Sequence, residues 1–285
     1  MSAALLGGLR VVTTALNLPG PAACARLREL GATVAKVEPP SGDPFETYCA
    51  AWYRRLHDRM QVNRLDLKSE AGREKLHGLL AEADLFVTAQ RPSALARLGL
   101  DPAALAARHP RLCHVAITGH PAPHEEVPGH DLTYLAVHGL LSPPAMPVTL
   151  FADMAGAERA VSTALALVIA RDRTGRGMSA QAPLEDAARS LSQPFHEGLT
   201  SPGSLLGGGY AGYNLYRTRD GWIAVAALEP HFAERLAQAL GLAELTLDAL
   251  RGRFALETAN HWQHWASERD LPIVALPESS NQKNP

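Results

Sequence analysis

The chain has 285 residues, 27 basic and 29 acidic side chains and a net charge of −2, with 46% hydrophobic and 20% charged residues. That composition excludes a largely disordered chain, and balanced charge without a local Lys/Arg cluster excludes an electrostatic nucleic-acid footprint, so no nucleic-acid partner is expected. The longest near-apolar run, Ala160 to Ala170, contains Ser162 and Thr163 and falls short of the ~20 residues a membrane-spanning helix needs, so no membrane partner is expected either. The start, MSAALLGGLR, has no leader pattern. Cys24, Cys49 and Cys113 are widely spaced and form no CxxC, which fits reduced thiols, buried as small hydrophobes, in a cytoplasmic protein.

In chain order, the β-branched run from Leu9 reads as a strand, and Pro19-Gly-Pro21 opens a helix that stops at Gly31. Thr33–Glu38 is a second strand, closed by Pro39-Pro40. Ser69 can cap a helix through Ala83, and Leu85–Thr88 follows as a buried strand. Asp101-Pro102 starts a helix ending near His109-Pro110, and Leu112–Thr118 is another strand. Met154–Arg171 reads as an interior helix, apolar over most of its circumference, and Gly175-Arg-Gly177 breaks it. A strand-like segment to Pro183 then leads into a helix from Leu184. This alternation predicts an α/β fold whose large, Rossmann-like domain, about 1–200, has a mostly parallel sheet.

Residues 201–212, rich in glycine, read as a linker. Tyr213–Thr218 and Trp222–Ala227, joined at Arg219-Asp-Gly221, form a strand pair, and amphipathic helices follow. A small α+β domain over 213–268 results. The polar residues 278–285 are expected to be a disordered tail.

Familiar motifs are missing: no GxGxxG follows a strand, and there is no Walker loop, GxSxG elbow or HExxH. Gly207-Gly-Gly209 sits in the linker, where flexibility explains it. His109, His114, His120, His124, His130 and His138 crowd one stretch, but the cysteines are remote and prolines interrupt any shared face, so no metal site is expected. Most of these histidines read as surface or loop residues. Two segments carry more. In Pro128-Gly-His-Asp-Leu-Thr-Tyr134, His130 and Asp131 fall at a helix N-terminus, where partial positive charge favours a neutral imidazole and nearby anions. Asp153 likewise opens the interior helix, where a carboxylate is usually a cap.

These segments resemble the family III CoA-transferases (the carnitine dehydratase/bile-acid-inducible, CaiB/BaiF, type). The resemblance rests on Leu9-Arg-Val-Val with Leu18-Pro-Gly-Pro21, on Leu30-Gly-Ala-Thr-Val-Ala-Lys-Val-Glu-Pro-Pro40 with Gly42-Asp43, and on Leu65-Asp-Leu-Lys68 with Gly72. It continues through Ala83-Asp84, Arg91-Pro92 to Arg97-Leu-Gly-Leu100, Pro110-Arg-Leu112 and Arg171 to Gly177. Within the family, Gly129–Tyr134, Ala152-Asp-Met-Ala-Gly156, and Tyr216–Gly221 with Ala224–Phe232 are similar to the α-methylacyl-CoA racemase branch.

The resemblance implies an interlocked homodimer acting on an acyl-CoA substrate, with no metal or redox cofactor. It implies that His130 and Asp153 exchange the α-proton of a 2-methylacyl-CoA, that Glu229 orients His130, and that backbone N–H groups at the Asp153 helix start stabilise the enolate. Two general acid/base groups on opposite faces are what such an inversion requires. The alternative on the same scaffold is a CoA transferase, in which Asp153 attacks a donor thioester and forms a mixed anhydride. A third reading is a catalytically impaired, CoA-binding scaffold. Residues implied to contact coenzyme A are Leu18, Pro19, Leu65, Asp66, Leu67, Lys68, Ala89, Gln90, Arg91, Arg97, Gly129, His130, Asp131, Leu132, Thr133 and Tyr134, along the carboxyl ends of the strands. The resemblance also sends Leu271–Leu276 back into the large domain (270–277). Departures are the short chain, the mere 23 positions between His130 and Asp153, Ser93 for a glycine, and Ala157 and Glu158 where the family carries glycines. A charged residue there is expected to narrow the acyl pocket.

Overall fold

A computed structural model describes residues 4–277; the tail expected at 278–285 lies outside them. The chain divides into two compact units, 1–192 and 193–285.

The first unit runs β1 (Arg10–Thr13), α1 (Pro19–Glu29), β2 (Thr33–Glu38), α2 (Pro44–Tyr48), α3 (Ala50–Leu56), β3 (Gln61–Arg64), α4 (Glu70–Ala81) and β4 (Leu85–Thr88). It continues with α5 (Pro92–Arg97), α6 (Pro102–Arg108), β5 (Cys113–Thr118), α7 (Asp131–Val137), α8 (Phe151–Thr174) and β6 (Ser179–Pro183), and α9 (Leu184–His196) crosses the boundary. Local chemistry sets many of these limits. Pro19 opens α1, where its missing N–H needs no partner. The Ser69 hydroxyl accepts from Gly72 N at 3.0 Å and caps α4, and Asp101 Oδ1 accepts from Ala103 N and Ala104 N at 3.1 Å to cap α6. Gly175, with φ of 75°, ends α8 in a conformation glycine takes freely.

The six strands pair in the order β3-β2-β1-β4-β5-β6, all parallel. This is a doubly wound order, with its switch point between β1 and β4. Adjacent strand residues serve opposite faces. Val11, Val34, Val87 and Val115 pack with α1 and α8, while Val12, Val37 and Phe86 pack with α4, α5 and α6. Helix α8 buries Gly156, Ala157, Ala160 and Ala164, and a Cβ on Gly156 would lie 2.3 Å from Leu184 Cδ2. Small side chains thus bring the long helix close to its neighbours.

The second unit holds β7 (Tyr213–Arg217), β8 (Trp222–Ala226), α10 (Pro230–Leu240), α11 (Leu247–Phe254), α12 (Ala259–Ser267) and β9 (Ile273–Ala275). Its antiparallel sheet, β7-β8-β9, packs around Tyr216, Ile223, Leu236, Phe254 and Trp262. The segment expected to return to the large domain does otherwise: β9 pairs antiparallel with β8, Ile273 opposite Val225. Its apolar side chain Ile273 completes the small core, buried with Leu271. Strand β3 and helices α2 and α3 were not foreseen from the sequence.

Candidate active site

The carboxyl ends of the strands gather the residues expected to hold coenzyme A. Leu18-Pro19 follows β1, Leu65–Lys68 follows β3, Ala89–Arg91 follows β4 and Gly129–Tyr134 lies beyond β5. Their side chains are not equally free. Leu18 is buried against Phe45 and Tyr53, so only its backbone is available to a ligand. Asp66 Oδ1 accepts from Lys68 N at 3.0 Å, and a Cβ on Gly72 would meet Asp66 O at 1.9 Å, so the Leu65–Lys68 turn is clamped on the start of α4. Gln90 is committed across the switch point: its amide donates to Thr14 O at 2.7 Å and its carbonyl accepts from Thr14 Oγ1 at 3.0 Å. Lys68, Arg91 and Arg97 are exposed and form no ion pair among the described residues.

His130 is the N-cap of α7 and is exposed; its N–H donates to Thr133 Oγ1 at 3.0 Å. Tyr134, one turn on, is 2% exposed, and its ring lies where a Cβ on Gly129 would fall, with the hydroxyl 2.7 Å from that point and 2.4 Å from the equivalent point on Gly119. Both glycines therefore make room for the phenol. Leu132 and Thr133 are exposed on the same turn.

Asp131 ties this turn to α8. Buried at 4% exposure, its Oδ1 accepts from Asp153 N at 3.0 Å. Helix α8 has no side-chain cap of its own at Leu150, so the carboxylate of α7 serves as its cap. The Asp131 carboxylate thus faces the start of α8, and the Asp153 N–H already donates to it. Asp153 itself sits in the first turn of α8, three residues past the N-cap position.

Among the described residues, neither carboxylate forms an ion pair. Burial first, then the charge of Asp131, pushes Asp153 up to about 7, and burial raises Asp131 as well. Tyr134 rises to about 12, through burial and then the charges of Asp153, Glu185 and Asp131. Asp153 is thus held well above the ordinary carboxylate range and Tyr134 above the ordinary phenol range.

Glu185 was missed from the sequence. From the start of α9 its Oε2 lies 2.6 Å from His120 Nδ1 and its Oε1 3.5 Å from His138 Nε2. His120 in turn meets the Tyr134 ring edge-on at 5.2 Å. His114 is no surface residue: it is buried in β5, 3.0 Å from Thr88 Oγ1, and burial holds its ring down to about 4. Cys49, expected to be buried, is exposed. Ala157 lies in the core and Glu158 is exposed. Glu229 belongs to the second unit, exposed before α10, where its carbonyl accepts from Phe232 N and Ala233 N.

A cleft of about 880 Å³ opens at the opposite, amino edge of the sheet, lined by Arg10, Arg28, Arg59, Glu29 and Glu82 among others, and includes none of the expected site residues. Glu38, at the end of β2, stands where dinucleotide-binding folds keep a carboxylate for ribose. Here it is fully buried and bonded to Tyr53 and Lys36, so no ribose can reach it. Among the described residues, no helix is long and apolar enough to cross a membrane.

Fold and site define an α/β protein with titratable groups at the carboxyl edge of a doubly wound sheet. The chain matches the model of CoA-transferase family III over residues 6–271 and belongs to that family. It is 32% identical over 256 residues to the α-methylacyl-CoA racemase of Mus musculus, an alignment covering 84% of this chain and 65% of the racemase, so the chain spans just under two thirds of that relative. Identity to the cinnamoyl-CoA:phenyllactate CoA-transferase of Clostridium sporogenes is 30% over 275 residues, covering 86% of this chain and 66% of the transferase. A crystal structure of the hypothetical protein Rv3272 from Mycobacterium tuberculosis superposes with a TM-score of 0.81 at 26% identity, covering 97% of this chain and 86% of that one.

Proposed function

We infer that the protein racemises a 2-methylacyl-CoA by α-proton transfer. The observation that carries this reading is the Asp131–Asp153 link, which sets the His130 turn against the first turn of α8 and leaves Asp153 beside a second carboxylate, raised to about 7 by burial and that charge. A group poised near the working pH takes a proton in one direction and returns it in the other. In one direction His130 removes the α-proton, the C–H electron pair moves into the thioester as an enolate, and protonated Asp153 delivers a proton to the opposite face. The reverse direction exchanges the two roles, and solvent resets both groups.

Asp131 supports this pairing, because it joins the turn that carries His130 to the turn that carries Asp153. With the Asp153 amide occupied, the backbone donors left beside His130 are the Asp131 and Leu132 amides, which have no intrahelical partner. Lys68, Arg91 and Arg97 offer free positive charge to coenzyme A phosphates. A cytoplasmic, interlocked homodimer is part of the same reading.

The second reading, a CoA transferase using Asp153 as nucleophile, is favoured by the 30% identity to a named transferase. It needs the ionised carboxylate, which an elevated pKa disfavours at neutral pH. The deciding experiment incubates the protein with a 2-methylacyl-CoA in D₂O. Deuterium entering the α-position, and lost in both His130→Ala and Asp153→Asn, supports racemisation. CoA moving between two carboxylic acids without α-exchange overturns it in favour of the transferase.

A further inference from the structure

A group of charged side chains is sealed beside the carboxyl ends of β2 and β3, away from Asp153. Lys36 and Glu38 are fully buried, and Asp43, His57 and Tyr53 are at most 8% exposed. The ammonium of Lys36 lies 2.5 Å from Asp43 Oδ2, 2.7 Å from His57 Nε2 and 3.1 Å from Glu38 Oε1, which uses its three hydrogens. That arrangement requires a neutral His57 with a bare Nε2. Its Nδ1, 2.7 Å from Tyr53 O, is then the donor, and burial, then Lys36, holds the ring below its ordinary range. The Tyr53 hydroxyl donates to Glu38 Oε1 at 2.7 Å. Glu38, Asp43 and His57 group their ligand atoms as a metal site would, but the ammonium already engages all three.

The second oxygen of Asp43 points out of this cluster. Oδ1 accepts from Phe45 N at 2.9 Å, capping α2, and from Asn17 N at 3.0 Å. Asn17 lies in the β1–α1 turn with φ of 63°, in the left-handed region that residues with a Cβ seldom occupy. The conformation of the turn leading into Leu18-Pro19 is therefore imposed from the β2–α2 loop, by a carboxylate that Lys36 holds in place.

We propose that Asp43 is a positioning residue for coenzyme A: anchored by Lys36, it fixes the β1–α1 turn in the backbone conformation that presents the Leu18-Pro19 edge to the coenzyme. This rests on the coenzyme A reading above. A merely structural role would lower stability without singling out the coenzyme. The test compares Asp43→Ala with Asp43→Asn and with Leu76→Ala, a fully buried site in α4 that destabilises without touching the turn.

In Asp43→Ala, the coenzyme A Kd and the acyl-CoA KM rise about tenfold while kcat at saturation stays within about twofold. Amide exchange at Asn17 in the unliganded protein accelerates. Asp43→Asn, which keeps an oxygen for both backbone donors, recovers most of the affinity, and Leu76→Ala loses stability but keeps its Kd. Should Asp43→Ala fail to accumulate, Asn17→Val disturbs the turn and spares the buried charges; it raises KM in the same way, and Asn17→Gly does not. An equal loss of affinity in Leu76→Ala, or an unchanged Asn17 exchange rate in Asp43→Ala, overturns the proposal. Failure of the wild type to bind coenzyme A overturns the underlying reading instead.

Discussion

Two carboxylate centres stand at the same edge of the sheet and are built in opposite ways. At Lys36, Glu38 and Asp43 each acid shares one ammonium, and the neighbouring donors Tyr53, Phe45 and Asn17 fill further lone pairs. At Asp131 and Asp153 there is no ion pair among the described residues; one acid caps the helix of the other, and both are raised by burial. The same residue type is therefore tied into a charged cluster in one place and left without a paired cation, among the described residues, in the other. The difference is whether a counter-charge is built in.

The largest effect comes from making the first centre like the second. Lys36→Met leaves two buried acids without their cation and is expected to destabilise the protein by about 3 to 5 kcal/mol, measured from urea midpoints at pH 7. A loss below about 1 kcal/mol would mean the cluster is not held by charge.

The second centre responds with the opposite sign. Asp153 has a folded-state pKa of about 7 against an ordinary value of 3.8, so the folded protein binds its proton more tightly than the unfolded chain does. Stability attributable to this group is complete at acid pH, falls as pH climbs through the unfolded value, and stops falling above about 7. Asp153→Asn should therefore stabilise the protein by ~2 kcal/mol at pH 8, the full shift being discounted for partial exposure, and leave stability near pH 4 unchanged. Activity in the same variant should drop by about 10²- to 10⁴-fold. Equal stability changes at both pH values would refute the desolvated acid.

Next is the packing that holds the His130 turn. A Cβ at Gly129 would fall 2.5 to 2.9 Å from atoms of the Tyr134 phenol, which is walled in on the other side by Gly119. Gly129→Ala is expected to lower stability by about 1 to 3 kcal/mol and to reduce activity more than stability. Differential scanning calorimetry and the D₂O exchange rate read the two effects separately.

Much of this architecture was legible locally. Thr33–Glu38 and Leu85–Thr88 announce themselves by β-branched and apolar runs, and both strands have those limits. Ser69 and Asp101 are caps in sequence and in space. Strand β3 was not legible, since Gln61-Val-Asn-Arg64 is an edge strand with one apolar residue. Asp43-Pro44 carries the cap-plus-proline signal of α2, a helix of only five residues. Ile273–Ala275 was recognisable as a strand, but its partner was not, because pairing is decided by tertiary packing. For the candidate site, His130 and Asp153 are proposed on motif alone. The capping of α8 by Asp131 and the clasp of His120 by Glu185 join residues far apart in sequence, and no local pattern encodes them.

The finest discrimination lies within the second centre. Burial is the larger cause of the Asp153 shift and the Asp131 charge the smaller. Asp131→Asn removes the charge, and its amide oxygen can still accept from Asp153 N. The pH at which Asp153 titrates should move down by less than about 1 unit and remain above the ordinary carboxylate range. In a pH profile of α-proton exchange, the limb governed by Asp153 as base then shifts toward acid, while maximal exchange stays within about twofold. A limb that stays in place would mean the two carboxylates are joined by the helix cap alone. A fall all the way to ordinary values would make charge, rather than burial, the dominant cause. Either result would change what separates this centre from the Lys36 cluster, where each acid has a counter-charge while Asp153, raised by burial and by Asp131, has none among the described residues.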